Sequence, residues 1–168
     1  MGKQVILSVS IVLFNENLIE LTKTIDCFLE LPIQKKLFLI DNTPKNIFKN
    51  KFNNEEIEYT SQDDNIGFGA GHNKIIHKIK GLSKFHLILN PDVIFKPTIL
   101  TNLIIQLEKD ENLSMIAPKV LFPNGIHQYS CRRYPSVLEL FVRRSFLLKR
   151  IFKFTISKGT YRDKNLNK

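Results

Sequence analysis

The sequence predicts an α/β fold with a mainly parallel sheet and helices on both faces of that sheet. Short apolar strands alternate with amphipathic helical segments, and this order favours parallel strands joined by crossover helices. Polar residues and glycines gather just after the predicted strands and do not interrupt them. With 168 residues, of which 43% are hydrophobic, the chain is long enough to bury one core.

Five strands are predicted from short runs of Val, Ile, Leu and Phe that turn residues bound. They lie at residues 5–14, 35–41, 56–62, 85–89 and 114–122. The fourth is apolar almost throughout, which predicts a strand buried on both faces. A Pro-Asn-Gly turn is predicted at 123–125, after the fifth.

Three helices are predicted at residues 17–31, 73–80 and 97–110. Asn17 is expected to cap the first, with Glu20 three positions on, because apolar residues recur at helical spacing after it. Pro97 fits the first turn of the last helix, where a missing N–H leaves no hydrogen bond unmade.

The excess positive charge lies in the C-terminal tail. Residues 1–130 hold 14 basic and 14 acidic side chains, whereas residues 131–168 hold 11 and 2, which is the whole net charge of +9. Ser136 and Glu139 form a capping-box pattern that predicts a basic amphipathic helix over 136–154. Such a helix suits an anionic membrane surface, and it suits equally well packing against protein. We therefore expect a domain at 1–135 followed by a basic helix and tail at 136–168.

Composition also bears on location and partners. We find no apolar run of about 18 residues and no signal-peptide cleavage pattern, so we expect a cytoplasmic protein, peripheral on the inner face of the cell membrane if the tail binds lipid. Cys27 and Cys131 lack a metal spacing and are predicted to be free thiols. The histidines lack one too, and His86, inside a strand, is predicted to be structural. Nucleic acid is not an expected partner, because the strand ends are acidic and the basic excess lies elsewhere.

Acidic and amide side chains follow four of the predicted strands. Asn15 and Glu16 follow the first, Asp41 ends the second, residues 63–73 follow the third, and residues 90–92 follow the fourth. Ligands of parallel α/β sheets bind at the carboxyl ends of the strands, so these side chains are expected to meet at one edge. Each segment taken alone also fits an ordinary turn or helix start.

Two of these segments indicate more specific chemistry. The glycines in "DDNIGFGAGHN" (63–73) let the backbone approach a ligand and direct N–H groups at a phosphate, although a flexible loop is the alternative. The spacing is neither the dinucleotide fingerprint nor a P-loop. Pro91 restricts Asn90 to an extended backbone and so directs the Asp92 carboxylate, a hard oxygen ligand suited to Mg²⁺ or Mn²⁺. A plain Asn-Pro-Asp turn explains the same triplet.

Five segments together resemble a known family. They are "SVSIVLFNEN", "LFLIDN", "DNIGFGAGHNKII", "LILNPDV" and "APKVLFPNGIHQYSCRRYPS". Over residues 6–136 their order and spacing resemble bacterial inverting glycosyltransferases of the GT-A fold, above all rhamnosyltransferases of surface-polysaccharide synthesis. The resemblance implies a Rossmann-like sheet, a nucleotide-sugar donor such as dTDP-rhamnose, a divalent cation, and a lipid-linked or saccharide acceptor.

The same resemblance implies roles for individual residues. The nucleobase and ribose would contact Phe14, Asn15, Glu16 and Asp41. The sugar-diphosphate pocket would be lined by Asn65, Gly67, Gly71 and Asn73. Asn90, Pro91 and Asp92 would replace the family's Asp-x-Asp metal motif, with Asp92 as the metal ligand because the amide of Asn90 is neutral and weaker.

One part of the family pattern has no counterpart. The general base of these enzymes lies well beyond the Arg-x-Pro-Ser-like segment, but after Pro135 the sequence offers Glu139 and Asp163 alone, neither in a matching context. We therefore expect the donor-binding part of a transferase, which is either apparently truncated or completed by a partner chain, with the catalytic residue unknown. The alternative is a non-catalytic module that keeps the fold and binds a membrane or a partner protein through its tail.

Overall fold

The fold is described from a computed structural model, which covers residues 5–128, Ser130 and Val137. The described residues form a four-stranded parallel sheet of order β3-β2-β1-β4. Its strands are β1 (Val5–Leu13), β2 (Lys35–Asp41), β3 (Ile57–Ser61) and β4 (Ser83–Ile88). Leu13 pairs with Asp41 and Asp41 with Ser61, so three strands end level with one another. The predicted α/β class is confirmed.

Four helices accompany the sheet in the described residues. They are α1 (Leu18–Leu29), α2 (Phe68–Asn73), α3 (Ile76–Ile79) and α4 (Pro97–Lys109), with a 3-10 turn at Pro44–Asn46. Asn17 caps α1 as predicted, because its side-chain oxygen accepts from the N–H groups of Ile19 at 2.9 Å and Glu20 at 3.3 Å. Pro97 occupies the first turn of α4, also as predicted.

Alternation along β1 divides the core between the two faces of the sheet. The larger cluster takes the odd-numbered residues of β1 with apolar residues of α1 and α4, including Leu7, Val9, Ile11, Leu13, Leu21, Ile25, Phe28 and Leu100. The smaller cluster lies on the other face and consists of Val12, Phe38, Ile40 and Ile75, with Ile79 of α3 beside them. Each fully buried Leu, Ile or Phe side chain contributes about 1.5–3 kcal/mol to folding. Helices on both faces are thus confirmed.

Three predicted elements differ from the structure. The helix expected at 73–80 begins earlier, at Phe68, and is interrupted between α2 and α3. Residues 114–122 form no strand in the described part of the chain, where Leu121 makes an isolated antiparallel bridge with His127. β4 is an edge strand that alternates instead of being buried on both faces, and Ile88 is 58% exposed. A run of apolar residues forms a buried strand only where neighbours cover it, and local composition does not report those neighbours.

The chain divides into two compact units, Met1–Ile116 and Ala117–Lys168. In the second, the predicted turn at 123–125 is present, since the N–H of Phe122 donates to the carbonyl of Ile126 at 2.7 Å and Gly125 has a φ of +80°. The helix predicted over 136–154 lies outside the described residues, apart from the helical and exposed Val137. Cys131 lies outside them as well, and Cys27 is a free thiol. No helix within the described ranges is long and apolar enough to cross a bilayer.

Candidate functional site

The carboxyl ends of the four strands form one edge of the sheet, which we call the rim. It comprises residues 14–16, 41–43, 62–67 and 90–92, the segments that directly follow the strands. The strand order reverses between β1 and β4, because the chain leaves β3 and crosses back to the far side of β1. Open α/β sheets bind ligands outside such a switch point, so the ends of β1 and β4 are the favoured place for one.

At the ends of β1 and β2, the rim is buried and internally hydrogen-bonded. The Asp41 side chain is fully buried; its Oδ1 accepts from the N–H of Thr43 at 2.8 Å, and its Oδ2 accepts from the Tyr59 hydroxyl at 2.6 Å. The Thr43 hydroxyl oxygen in turn accepts from the N–H of Asn15 at 2.9 Å. Asn15 has a φ of +57°, a left-handed conformation that Asn tolerates better than most residues. One carboxylate therefore organises three strand ends.

Tyr59 has a pKa that burial and the hydrogen bond to the Asp41 carboxylate both raise well above its ordinary value, with burial the larger cause. The hydroxyl therefore stays protonated across the physiological range and remains a donor to Asp41. Tyr59 lies in β3, two strands away from β1, so this bond also fixes the outer strand of the sheet relative to the rim.

The glycine-rich segment begins with a turn that Asn65 closes. The side-chain oxygen of Asn65 accepts from the N–H of Gly67 at 2.9 Å, and Gly67 has a φ of +84° that disfavours any side chain there. The amide of Asn42 donates to Asn65 Oδ1 and to the Gly67 carbonyl, each at 3.4 Å. Asn42 Oδ1 is buried without a hydrogen-bond partner among the described residues. A buried acceptor of this kind is costly to leave unmatched.

Gly71 packs against the sheet. A Cβ at that position would lie 2.7 Å from Val12 Cγ2 and 2.9 Å from Val12 Cγ1, closer than side-chain atoms approach one another. The absence of a side chain at Gly71 therefore lets α2 sit directly on β1. Asn73, at the other end of the six-residue α2, is exposed. The contacts predicted for Gly71 and Asn73 with a sugar diphosphate stay predictions.

At the end of β4, the Asn90-Pro91-Asp92 turn is anchored from two sides. The N–H of Leu89 donates to the Ser10 carbonyl at 3.0 Å, which extends the pairing of β1 and β4 up to the turn. The hydroxyl of Thr24, a buried residue of α1, donates to the Pro91 carbonyl at 2.8 Å. Asn90 and Asp92 themselves are exposed. The backbone of this turn is fixed while its polar side chains point outward.

Glu16 and Asp92 place two carboxylates at the switch point, one after β1 and the other after β4. Burial raises the pKa of Glu16, and the negative charges of Asp92 and Glu20 raise it further, against a lowering effect of the hydrogen bond from the N–H of Phe14. Asp92 influences Glu16 although 76 positions separate them in the sequence, because β1 and β4 are neighbours. Beside them Phe14 is 44% exposed and offers an aromatic surface at the same edge.

Glu16 and Asp92 are oxygen ligands of the kind that a magnesium-type cation uses. No group of three or more His, Cys, Asp or Glu side chains is placed to hold a metal in the described part of the chain. Mg²⁺ commonly uses one or two protein carboxylates, with water and substrate phosphates completing its octahedron. Two like charges that raise a pKa by repulsion are relieved by a cation between them. Glu16 and Asp92 are thus a suitable protein ligand set for a cation shared with a diphosphate.

An open groove of about 660 Å³ lies beside β3, away from Glu16 and Asp92. Its lining includes Phe48, Phe52, Ile57 and Tyr59, together with Lys49, Glu55 and three asparagines. Tyr59 is the residue it shares with the hydrogen-bond network of Asp41. The groove has no carboxylate pair and does not lie at the switch point, so we place the candidate site at the rim.

The structure brings together most of the residues predicted for the site and adds others. Phe14, Asn15, Glu16, Asp41, Asn65, Gly67, Asn90 and Asp92 all lie on the rim or in its turns. The supporting residues that sequence reasoning missed are Asn42, Thr43, Tyr59 and Thr24. A signal for the first two was present in "DNT" directly after the second strand. None marked Tyr59 or Thr24, since their partners are distant in sequence.

Comparison of the chain with models of protein families finds no match, and comparison with curated proteins finds none either. The case for a function therefore depends on the geometry of the rim and on the resemblance of its segments.

Proposed function

We propose that the rim binds a nucleotide sugar together with a divalent cation and serves as the donor site of a glycosyltransferase. The observation that most supports this proposal is that Glu16 follows β1 and Asp92 follows β4, the two strands that meet at the switch point of a parallel sheet, where the charge of Asp92 contributes to raising the pKa of Glu16. A diphosphate that shares a cation with two carboxylates is the ligand class that such a place suits best.

The proposed nucleoside site lies beside the buried Asp41, which would shape that site without touching the ligand. Asp41 is held by Thr43 and Tyr59 at known distances, so its orientation does not depend on the ligand. Phe14 directly follows β1 and is partly exposed. Its ring therefore offers a surface on which a nucleobase can stack. A prearranged site loses less conformational entropy on binding than one that must first be ordered.

The exposed part of the rim is the proposed diphosphate site. Glu16 and Asp92 would hold Mg²⁺ or Mn²⁺, and the bound cation would stabilise the charge that develops on the departing diphosphate. The residues of the chain do the positioning. Thr24 fixes the Pro91 carbonyl and thereby the direction of Asp92, while the N–H of Phe14 holds Glu16. Asn65 and Gly67 shape the neighbouring turn.

The finer assignments rest on the resemblance of the five sequence segments. They are rhamnose as the sugar, dTDP as the nucleotide, and a lipid-linked or saccharide acceptor of polysaccharide synthesis. A partner chain that supplies the acceptor half, and an anionic membrane surface that attracts the basic tail, belong to the same proposal. Asp92 is proposed as the metal ligand in the place of the family's Asp-x-Asp motif.

Calorimetric titration tests the proposal directly. The purified chain is titrated with dTDP-rhamnose and with UDP-sugars, each with Mg²⁺ or Mn²⁺ and each with a chelator. We expect saturable binding that the cation strengthens at least about tenfold, equivalent to about 1.4 kcal/mol. Absence of binding to every nucleotide sugar under both conditions would contradict the donor site and favour a non-catalytic module.

A further inference from the structure

A continuous chain of hydrogen bonds crosses the sheet beneath the glycine-rich segment. The Ser83 hydroxyl donates to Ser8 Oγ at 2.7 Å, and Ser8 Oγ lies 2.8 Å from His86 Nδ1. His86 Nε2 lies 2.9 Å from Ser10 Oγ, which lies 2.7 Å from His72 Nδ1. The chain therefore runs from β4 through β1 to α2, and we call it the serine–histidine chain.

The β1 and α2 members of this chain are buried, whereas His86 on the edge strand β4 is exposed. Ser8 and Ser10 are fully buried and His72 is 7% exposed, on the face of β1 opposite the larger core cluster. His72 Nε2 is buried and has no hydrogen-bond partner among the described residues. The Ser10 hydroxyl has one proton, so it can donate to one imidazole only and must accept from the other or leave its bond unmade. These bonds can all be made when each ring carries one proton. An extra proton on His72 keeps Nδ1 as a donor to Ser10, but it places a charged N–H at the buried Nε2, which has no acceptor among the described residues, so the charged ring is stabilised where Nε2 reaches water.

The two histidines of the chain belong to elements that lead to two parts of the rim. His72 directly follows Gly71 in α2, which is the end of the glycine-rich segment. His86 lies in β4, the strand that leads into the Asn90-Pro91-Asp92 turn. Val12 meets α2 at Gly71 through van der Waals contact alone, so the bond from His72 to Ser10 is the polar attachment of α2 to β1 that the described residues show.

We propose that His72 is a positioning residue for the donor site, which holds the glycine-rich segment against β1 through Ser10 and releases it when the serine–histidine chain takes up an extra proton. The inference rests on the proposed function of the rim. It adds a regulation of that site by mild acidification.

The surroundings of the two imidazoles determine the direction of the effect. Burial lowers the pKa of His72. Partial desolvation, followed by the charge of His72, lowers the pKa of His86, although the His86 side chain is exposed and solvent weakens the effect there. The neighbouring charged groups are engaged elsewhere or exposed: Lys84 of β4 pairs with Glu108 of α4 at 3.0 Å, and Lys74 beside α2 is exposed. β1 contributes no titratable group to this face, because Ser8, Ser10 and Val12 occupy it.

Because the folded-state pKa values lie below the ordinary 6.5, the neutral rings stabilise the fold. That contribution is complete above pH 6.5, and it is lost as the pH falls toward the folded-state values. Nucleotide affinity and the order of the glycine-rich segment should decline over the same interval, since both depend on the bond from His72 to Ser10.

Three variants distinguish a role of His72 in positioning the glycine-rich segment from a role in packing alone. His72→Asn keeps a polar atom near the position of Nδ1 and cannot titrate, His72→Ala removes the bond, and His77→Asn makes the same replacement at an exposed helical histidine outside the chain. Each is measured by thermal unfolding, by the dissociation constant for the nucleotide sugar with Mg²⁺ between pH 8.0 and 5.0, and by NMR titration of the imidazoles and of the Gly67 and Gly69 amides.

For the wild type and His77→Asn, we expect affinity to weaken about three- to tenfold toward pH 5.0, with the glycine amides shifting at the same midpoint as the His72 ring. His72→Asn should bind as the wild type does at pH 8.0 and show a flatter profile, and His72→Ala should bind about three- to tenfold less tightly at pH 8.0. Glycine amide shifts in the wild type that do not follow the His72 titration would overturn the inference. If no variant binds nucleotide at any pH, the proposed function fails, and the amide titration still decides the role of His72.

Discussion

The two halves of the rim use their carboxylates in opposite ways. In the first half, at the ends of β1 and β2, Asp41 is fully buried and both of its oxygens accept hydrogen bonds from the protein. In the second half, at the ends of β1 and β4, Asp92 is exposed and acts on Glu16 by charge repulsion. The first carboxylate shapes the protein, and the second pair is left for a ligand.

This difference between Asp41 and Asp92 shows how the edge of a small sheet can provide a site for a charged ligand. A buried carboxylate is tolerated only when donors surround it, and Thr43 and Tyr59 provide them. Glu16 is half-buried and Asp92 is exposed, and a cation near them would offset the repulsion between their negative charges. The first half should therefore respond to mutation through stability, and the second through ligand affinity.

The largest effect is expected from Asp41→Ala. The change leaves the Tyr59 hydroxyl and the Thr43 N–H buried without their acceptor, so the free energy of unfolding should fall by about 2–4 kcal/mol. Nucleoside affinity should fall too, with or without metal. Chemical denaturation and calorimetry measure the two quantities.

Tyr59→Phe is the matched control for Asp41→Ala, because it removes one donor and keeps the carboxylate. It should lower stability by about 1 kcal/mol and leave metal-dependent binding in place. A loss of nucleoside affinity in Asp41→Ala that appears only in the presence of metal would show that the two halves of the rim have been assigned the wrong way round.

Gly71→Ala should be next in size and should also act through stability. Its Cβ would lie 2.7 Å from Val12 Cγ2, so α2 must move away from β1, at a cost of about 1–3 kcal/mol. The double variant with Val12→Ala relieves the clash, and it should recover part of the loss beyond the cost of the Val12 cavity. Strict additivity of the two changes would argue against a direct contact.

Asp92→Ala should leave stability within about 0.5 kcal/mol, because the side chain is exposed. Binding of the nucleotide sugar with Mg²⁺ should weaken about tenfold, and the benefit of adding metal should vanish. The pKa of Glu16 should fall in the same variant, since one of its repelling charges is gone. Carboxyl NMR follows the Glu16 titration, and calorimetry follows binding.

The control for Asp92→Ala is Asp26→Ala, which removes an exposed carboxylate from α1. It should bind the nucleotide sugar as the wild type does. Equal metal dependence in Asp92→Ala and Asp26→Ala would remove Asp92 from the site.

The smallest effect is expected from Thr24→Val, which should lower both the stability of the fold and the affinity for the ligand. It deletes the bond to the Pro91 carbonyl and conserves the shape of the side chain, so stability should fall by about 1 kcal/mol. Metal-dependent affinity should weaken a few-fold, because Asp92 loses its fixed direction. An unchanged affinity at reduced stability would mean that the turn is held adequately by Leu89 and Pro91 alone.

The sheet and most of the rim could be predicted from the sequence, because both depend on local patterns of residues. The ends of strands could be predicted where an apolar run is followed by Asn or Asp, as it is near Asp41 and Asp92. Asn17 and Pro97 were correctly placed because helix starts have short-range chemistry.

What escaped prediction depends on partners distant along the chain. The residues around Tyr59 do not indicate that its hydroxyl donates to Asp41. The residues around His72 likewise do not indicate the hydrogen bonds that link it through Ser10 to His86. The helical start at Phe68 was missed because three glycines suggest a loop, whereas Gly71 is favoured by the close approach of Val12. The prediction of a strand at 114–122 was wrong. A strand needs a neighbouring strand to pair with, and an apolar run in the sequence does not show whether one is present.

Paramagnetic NMR tests the central claim most directly. The isotope-labelled chain is saturated with a nucleotide sugar, Mg²⁺ is replaced stepwise by Mn²⁺, and the broadening of each amide signal is followed. Signals of Glu16 and Asp92 should broaden first, and those of Asn53 and Asn54 in the groove beside β3 should persist. Broadening that begins at the groove and spares Glu16 and Asp92 would contradict a metal-assisted donor site at the rim.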